Sequence, residues 1–121
     1  MIKTYGSRKL SRRSAARKIL LRQLATHLIH HERITTTSAR AKELKTYVER
    51  LISSIGSIAD PVRKARETSR WLAPNGFKVE KKLVDVVLPR YKGRQGGHLR
   101  ILKLVPRPSD QTRLARVELV V

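Results

Sequence analysis

Apolar residues recur every three or four positions in four stretches of the chain, and this spacing places them on one face of an α-helix. Asp60-Pro61 is a typical helix start. The aspartate side chain can cap the first N–H groups of the helix, and proline lacks an N–H at a position where that group would have no intrahelical partner. The four predicted helices run from Ser14 to about His30, from Thr37 or Ser38 to Gly56, from about Val62 to Leu72, and from about Val79 to Pro89.

The same spacing predicts which side of each helix is buried. A single tryptophan next to Leu72 is more typical of core packing than of base stacking, so we expect Trp71 to pack. The expected buried positions are Ala16, Ile19, Leu20, Leu24 and Leu28, then Leu44, Tyr47, Val48, Leu51, Ile52 and Ile55, then Val62, Ala65 and Leu72, and finally Leu83, Val84, Val87 and Tyr91.

Three further segments have the pattern of β-strands. Residues 33–37 are short and β-branched, residues 98–105 are apolar on both faces, and residues 114–121 alternate apolar and charged side chains. The last two are neighbours in sequence, which favours an antiparallel hairpin that the first strand joins. The predicted fold is α+β, with a small three-stranded sheet (one short strand plus a C-terminal hairpin) packed with about four helices.

Charge sets the amino terminus apart from the rest of the chain. The 121 residues contain 28 Lys and Arg against 9 Asp and Glu, a net charge of +19, and the first 31 residues contain no acidic side chain. Such a segment repels itself unless a polyanion neutralises it, so a nucleic-acid partner is expected. We therefore divide the chain into a basic arm, residues 1–13, and a single domain, residues 14–121.

Other classes of function find little support. The chain has no cysteine and no apolar run of the roughly 20 residues that a membrane span needs. His27, His31 and Glu32 do not have the spacing of a zinc motif and suit a helix end. The acidic residues are scattered, which disfavours a metal-dependent nuclease. We expect no enzyme activity, metal, cofactor, small-molecule substrate, membrane span or homo-oligomer.

An architectural DNA-binding protein is the alternative that charge alone leaves open. Such a protein would be expected to dimerise or to place a recognition helix in the major groove. The sequence has neither a coiled-coil seam nor the glycine turn of a helix-turn-helix motif. The charge therefore predicts a nucleic-acid partner but does not distinguish DNA from RNA.

Several motifs, in order along the chain, resemble the bacterial-type ribosomal protein seventeen family of the large subunit. They are R-K-L-S-R from Arg8, H-E-R-I-x-T-T-x-A-x-A-K-E-L from His31, P-R-Y from Pro89, G-G-x-x-R-I-L from Gly96 and V-E-L-V from Val117. The resemblance implies an α+β structural protein of the large subunit. It also implies that a basic amino-terminal segment binds rRNA, that ribosomal proteins of the large subunit are neighbours, and that there is no catalytic role.

Charge, the glycine-rich loop of residues 91–97 and the resemblance together indicate the RNA-binding residues. Glycine lets a backbone N–H approach a phosphate, although the loop could equally be a flexible connection. The family's Tyr is replaced here by His98, which could still stack on a base or donate a hydrogen bond. The candidates are Lys3, Arg8, Lys9, Arg12, Arg13, Arg17, Lys18, Arg22, Arg40, Arg94, Gly96, Gly97, His98 and Arg100.

The basic amino terminus also bears on the cellular compartment. An Arg-rich, Ser-containing, acid-free start matches a mitochondrial presequence, so the arm could be an import signal, an RNA-binding element or both. Residues 1–4 and 110–114 depart from the bacterial pattern of the family. These departures slightly favour a ribosome of the mitochondrial matrix over one of the bacterial cytoplasm.

Overall fold

A computed structural model describes residues 9–74 and 77–121 and has the predicted α+β architecture. The fourth helix, α4, is continuous through an α-helical part, Phe77–Lys82, a π-helical part, Leu83–Val87, and a last turn, Leu88–Arg90. The other elements are α1 (Ser14–His31), β1 (Arg33–Thr37), α2 (Ser38–Gly56), α3 (Pro61–Trp71), β2 (Leu99–Lys103) and β3 (Leu114–Leu119).

The three strands form one antiparallel sheet in the order β1-β3-β2. Val117 in the central strand lies opposite Ile34 on one side and Ile101 on the other. The predicted hairpin is confirmed, and β1 joins it at β3. Both hairpin strands are shorter than the sequence pattern indicated, since β2 ends at Lys103 and β3 at Leu119.

Helices α1 and α2 cover the inner face of the sheet and enclose the core. On that face β3 contributes Ala115, Val117 and Leu119, all at most 4% exposed. The predicted apolar stripe of α2 is confirmed except that Tyr47 is only partly buried. Its buried members are Ala41, Leu44, Val48, Leu51, Ile52 and Ile55.

The buried face of α1 differs from the predicted one. Leu28 is buried as predicted and Leu20 and Leu24 are partly buried, but Ala16 is exposed and Ile19 is 55% exposed. The buried face is completed by Leu21, Ala25 and Ile29, which were not predicted. Leucines at both positions 20 and 21 offered two adjacent apolar stripes, and the position of the sheet and α2 selected the second. Serine is a preferred N-cap residue, which made Ser14 the predicted cap, but Ser14 is the first helical residue and Arg13 occupies the N-cap position.

Helix α3 begins as predicted, and the predicted burial of Leu72 just after its end is confirmed, but the other predicted positions are not buried. The Asp60 carboxylate accepts a hydrogen bond from the Val62 N–H at 3.1 Å, which confirms the cap. Val62 is 60% exposed, so its predicted burial is wrong, as it is for the exposed Ala65. Thr68 is buried instead, because its hydroxyl donates to the carbonyl of Lys64 and needs no further partner.

The π-helical part of α4 precedes its proline. Pro89 has no N–H, so it cannot donate to the carbonyl four residues earlier as an α-helix requires. In the turn before it, the Leu88 N–H donates to the carbonyl of Leu83, five residues back, which is the π-helical pattern. The helix ends at Arg90, so the prediction that Pro89 bends or ends it is confirmed. Leu83, Val87 and Tyr91 are buried as expected, while Val84 is only partly buried.

Trp71 packs against α2, which confirms the preference for packing over base stacking. Its ring centroid lies 5.1 Å from that of Tyr47, in an edge-to-face arrangement. The Tyr47 hydroxyl donates to the carbonyl of Trp71 at 2.6 Å, which connects α2 to the end of α3. Burial raises the pKa of Tyr47 to about 12, and the nearby Arg22 opposes this increase.

The raised pKa of Tyr47 predicts a pH dependence of stability. An unfolded tyrosine ionises near pH 10, so the burial of neutral Tyr47 contributes fully below about pH 10 and is lost as the pH approaches 12. Urea unfolding at several pH values should show the free energy of unfolding of wild type declining more steeply over this window than that of Tyr47→Phe. Parallel curves would contradict the assignment.

Candidate nucleic-acid interface

Exposed cations cluster at the start of α1. The Arg12 N–H donates to the carbonyl of Lys9 at 3.1 Å, so the end of the predicted arm forms a turn that leads into the helix. Lys9, Arg12, Arg13 and Lys18 are exposed. Within residues 9–74 and 77–121, none of these four side chains pairs with a carboxylate. We call these four residues the arm cluster.

The amino-terminal end of α1 adds to this positive charge. The Arg13 side chain makes no capping hydrogen bond, and the first turn contains no acidic residue. The first N–H groups of a helix lack intrahelical acceptors and carry the positive end of the helix dipole. The arm cluster therefore lies next to backbone groups that also attract anions.

Two predicted RNA-binding residues of α1 instead contact the protein body. Arg17 pairs with Glu43 of α2 at 2.9 Å. The Arg22 guanidinium donates to the carbonyl of Leu72 at 2.8 Å and to that of Ser69 at 3.2 Å, at the end of α3. These acceptors are 26 to 50 residues away, so no local pattern pointed to them. Arg17 and Arg22 fix the position of α1 relative to α2 and α3.

The glycine-rich loop is exposed and has an unusual backbone. Gly93, Gly96 and Gly97 have φ of +82°, +80° and +66°. Residues other than glycine rarely adopt these backbone angles. Arg94 holds the loop through its backbone N–H, which donates to Tyr91, and its Nε, which donates to Gly96. The loop can therefore present backbone groups to an anion beside an exposed guanidinium.

His98, which follows the loop, is a buried structural residue. It is 2% exposed, so its ring is not offered to a base at the open surface, and its role in RNA binding stays a prediction. Its Nδ1 lies 2.5 Å from Glu49 Oε2 of α2, and its backbone N–H donates to Glu49 Oε1 at 2.9 Å. The Leu99 N–H also donates to Oε1, so Glu49 connects α2 to the start of β2.

Arg100 and Arg40 lie away from the arm cluster. Arg100 is on the outer face of the sheet, where its Nη2 lies 2.7 Å from Glu118 Oε1 and its side chain remains 61% exposed. Arg33 lies on the other side of Glu118 in the sheet register. Arg40 is half-buried near the start of α2. Lys3 and Arg8 lie outside the described residues.

The candidate residues form separate groups arranged along α2. Arg17 contacts α2 at Glu43, whereas the glycine-rich loop lies near Ser53 and Gly56. Ten helical residues between Glu43 and Ser53 correspond to about 15 Å. The arm cluster and the loop therefore form two separate cationic regions along α2.

Residues 9–74 and 77–121 hold no group of three histidine, aspartate or glutamate side chains that could bind a metal ion. Among the helices of this part of the chain, none is long and apolar enough to cross a membrane.

Comparison with known proteins identifies the family. The family model for ribosomal protein L17 matches residues 20–120 of this chain. The chain belongs to the ribosomal protein L17 family. Its membership confirms the sequence-based resemblance and supports a structural role in the large ribosomal subunit.

Relatives in the L17 family come from bacteria and from mitochondria. The large ribosomal subunit protein bL17 of Halalkalibacterium halodurans is 44% identical over 118 residues, which cover 93% of this chain and 97% of the relative. That of Listeria innocua is 43% identical, with 95% and 99% covered. The protein bL17m of Schizosaccharomyces pombe is 41% identical over 99% of this chain, which spans only 58% of that relative. The preference for the mitochondrial matrix stays a prediction.

Proposed function

We propose that this L17-family protein is a structural component of the large ribosomal subunit that binds rRNA through its basic arm and the start of α1. The observation that carries this proposal is the arm cluster, four exposed cations without a carboxylate partner in the described part of the chain. Each cation that neutralises a phosphate releases a counterion, which is the main source of such affinity. Lys3 and Arg8, which precede the arm cluster in sequence, are proposed to bind rRNA as well.

Binding of the arm would be governed by RNA shape. Phosphate contacts position a protein on nucleic acid without reading its sequence, and A-form grooves offer side chains few base edges. The described aromatic residues support this view, because Tyr47, Trp71 and Tyr91 are occupied in packing. Recognition by stacking on an exposed aromatic platform is therefore not part of the proposal.

The body would hold these contacts in register. Arg17 and Arg22 fix α1 to α2 and α3, and Glu49 fixes the segment after the loop to α2. Arg40, Arg94, Gly96, Gly97 and Arg100 then form further contacts with rRNA, and the remaining surface adjoins neighbouring large-subunit proteins. In this role the protein performs no catalysis.

Sedimentation tests the proposal against DNA binding. We expect the protein to comigrate with large ribosomal subunits through a sucrose gradient at high salt, and digestion of the rRNA to release it. Treatment with DNase serves as the matched control and should change nothing. Release by DNase, or migration with the nucleoid, would support the architectural DNA-binding alternative.

A further inference from the structure

A recess lies between the end of α2, the start of α3, α4 and the glycine-rich loop. Its volume is about 450 Å³, within the roughly 300–1,000 Å³ of small-ligand sites. Its lining combines apolar side chains that are buried or partly buried with three cations, of which Lys92 and Arg94 are exposed and Lys64 is partly buried. The apolar residues are Ile52, Val84 and Leu88, and we call Lys64, Lys92 and Arg94 the cationic rim.

The charges around this recess have one sign. Lys64 comes from α3, while Lys92 and Arg94 come from the loop, and no carboxylate lines the cavity among the described residues. Apolar residues and cations on one lining suit a ligand with a flat, weakly polar part and a phosphate. A nucleotide has both parts, since its base can be buried while its phosphate stays at the surface.

Two polar groups in the recess could recognise a base. His98 lines the cavity. Its Nδ1 is hydrogen-bonded to Glu49, so Nε2 is the ring nitrogen left to bind a ligand. No hydrogen bond joins Nε2 to any residue of the described chain. Ser53 supplies an exposed hydroxyl on the same lining. His98, which is excluded from the outer surface, therefore contributes to the lining of a different candidate site.

We propose that this recess binds one nucleotide of rRNA that is turned out of its helix, with the base against Ile52, Val84 and Leu88 and the phosphate at the cationic rim. The proposal rests on the proposed function and adds a second contact, separate from the arm cluster. Turning out a base costs a few kcal/mol, least at bulges and loops, so an unpaired nucleotide is the expected ligand.

Gly56 allows the recess to be filled with little effect on the fold. It lies on the lining near the end of α2, and a Cβ built there would meet no atom within 4 Å. Gly56→Leu should occupy the cavity, whereas Gly56→Ala makes the same change in helix preference and leaves it open. Thermal melts should show that both variants are at least as stable as wild type, because alanine and leucine favour a helix more than glycine does.

Ultraviolet crosslinking of reconstituted large subunits, followed by trypsin digestion and mass spectrometry, tests the proposal. We expect wild type and Gly56→Ala to carry a nucleotide on the peptide of residues 95–100, which contains His98. Gly56→Leu should lower that yield at least fivefold and leave crosslinks to the arm unchanged. An equal yield in Gly56→Leu, or arm crosslinks without this peptide in wild type, would overturn the proposal. Absence of the arm crosslinks from wild type as well would overturn the proposed function.

Titration of the free chain separates rRNA from free nucleotides as the source of the ligand. The His98 ring signals are followed by NMR with nucleoside 5′-monophosphates and with inorganic phosphate. Crosslinking in the subunit with weak or no saturation by monophosphates supports the rRNA nucleotide. Saturation by monophosphates without a crosslink in the subunit overturns it in favour of a free nucleotide. Equal shifts with inorganic phosphate overturn the burial of a base.

Discussion

Replacing Arg12, Arg13 and Lys18 together by glutamine is expected to lower the affinity for large-subunit rRNA by about 100-fold at 0.15 M salt. All three side chains are exposed and have no carboxylate partner in the described part of the chain. Each lost phosphate contact should make the slope of log K against log salt shallower by roughly 0.7 to 0.9, so three should change it by about 2 to 3. Filter binding over a series of salt concentrations measures both quantities.

A charge-matched variant shows whether position matters or only net charge. Arg63, Arg66 and Lys81 are exposed on α3 and α4, and their replacement by glutamine also removes three positive charges. We expect the change in slope for this control to be less than a third of the change for the arm variant. An unchanged slope in the arm variant, or equal losses in both, would remove the arm cluster from the interface.

Glu49→Ala is expected to destabilise the folded chain by about 3 kcal/mol. The Glu49 carboxylate accepts hydrogen bonds from two backbone N–H groups, those of His98 and Leu99, and contacts the buried imidazole of His98. Alanine would leave these donors without an acceptor in a site that excludes most water. For a chain of this length the melting temperature should fall by roughly 10 °C, measurable by circular dichroism.

Two variants separate the loss of acceptors from the loss of charge. Glu49→Gln keeps one acceptor oxygen and should cost about 1 kcal/mol. Glu67→Ala removes a carboxylate that pairs with the exposed Arg70 on the surface of α3, and should cost less than about 0.5 kcal/mol. If Glu49→Ala were as stable as Glu67→Ala, the connection between α2 and β2 would not depend on this carboxylate.

Two of the motifs that made the family recognisable meet in the structure. Glu32, in the block that begins at His31, pairs with Arg90 of the P-R-Y motif at 2.8 Å. The Tyr91 hydroxyl of the latter motif donates to the carbonyl of Val120, beyond the end of β3. These motifs therefore connect the ends of α1, α4 and the sheet, and they mark the body of the protein more than its proposed RNA contacts.

Sequence reasoning predicted the arm cluster as part of a stretch of cations but could not tell the exposed cations of α1 from those that contact the protein body. Lys18 and Arg22 have similar sequence surroundings, yet Lys18 is exposed and Arg22 binds carbonyls at the end of α3. The difference depends on where α3 ends in space. The spacing of neighbouring residues contains no information about a hydrogen-bond partner 50 residues away.

The sequence by itself determined the type and order of the elements and the excess of positive charge, because helical spacing, strand alternation and composition act over a few neighbouring residues. Only the tertiary structure decided which apolar stripe of α1 is buried, which arginines are held by the body, and that His98 lies beside a recess. These features arise from contacts between segments distant in sequence, such as His98 with Glu49, and the free energy of burial depends on what the rest of the chain places there.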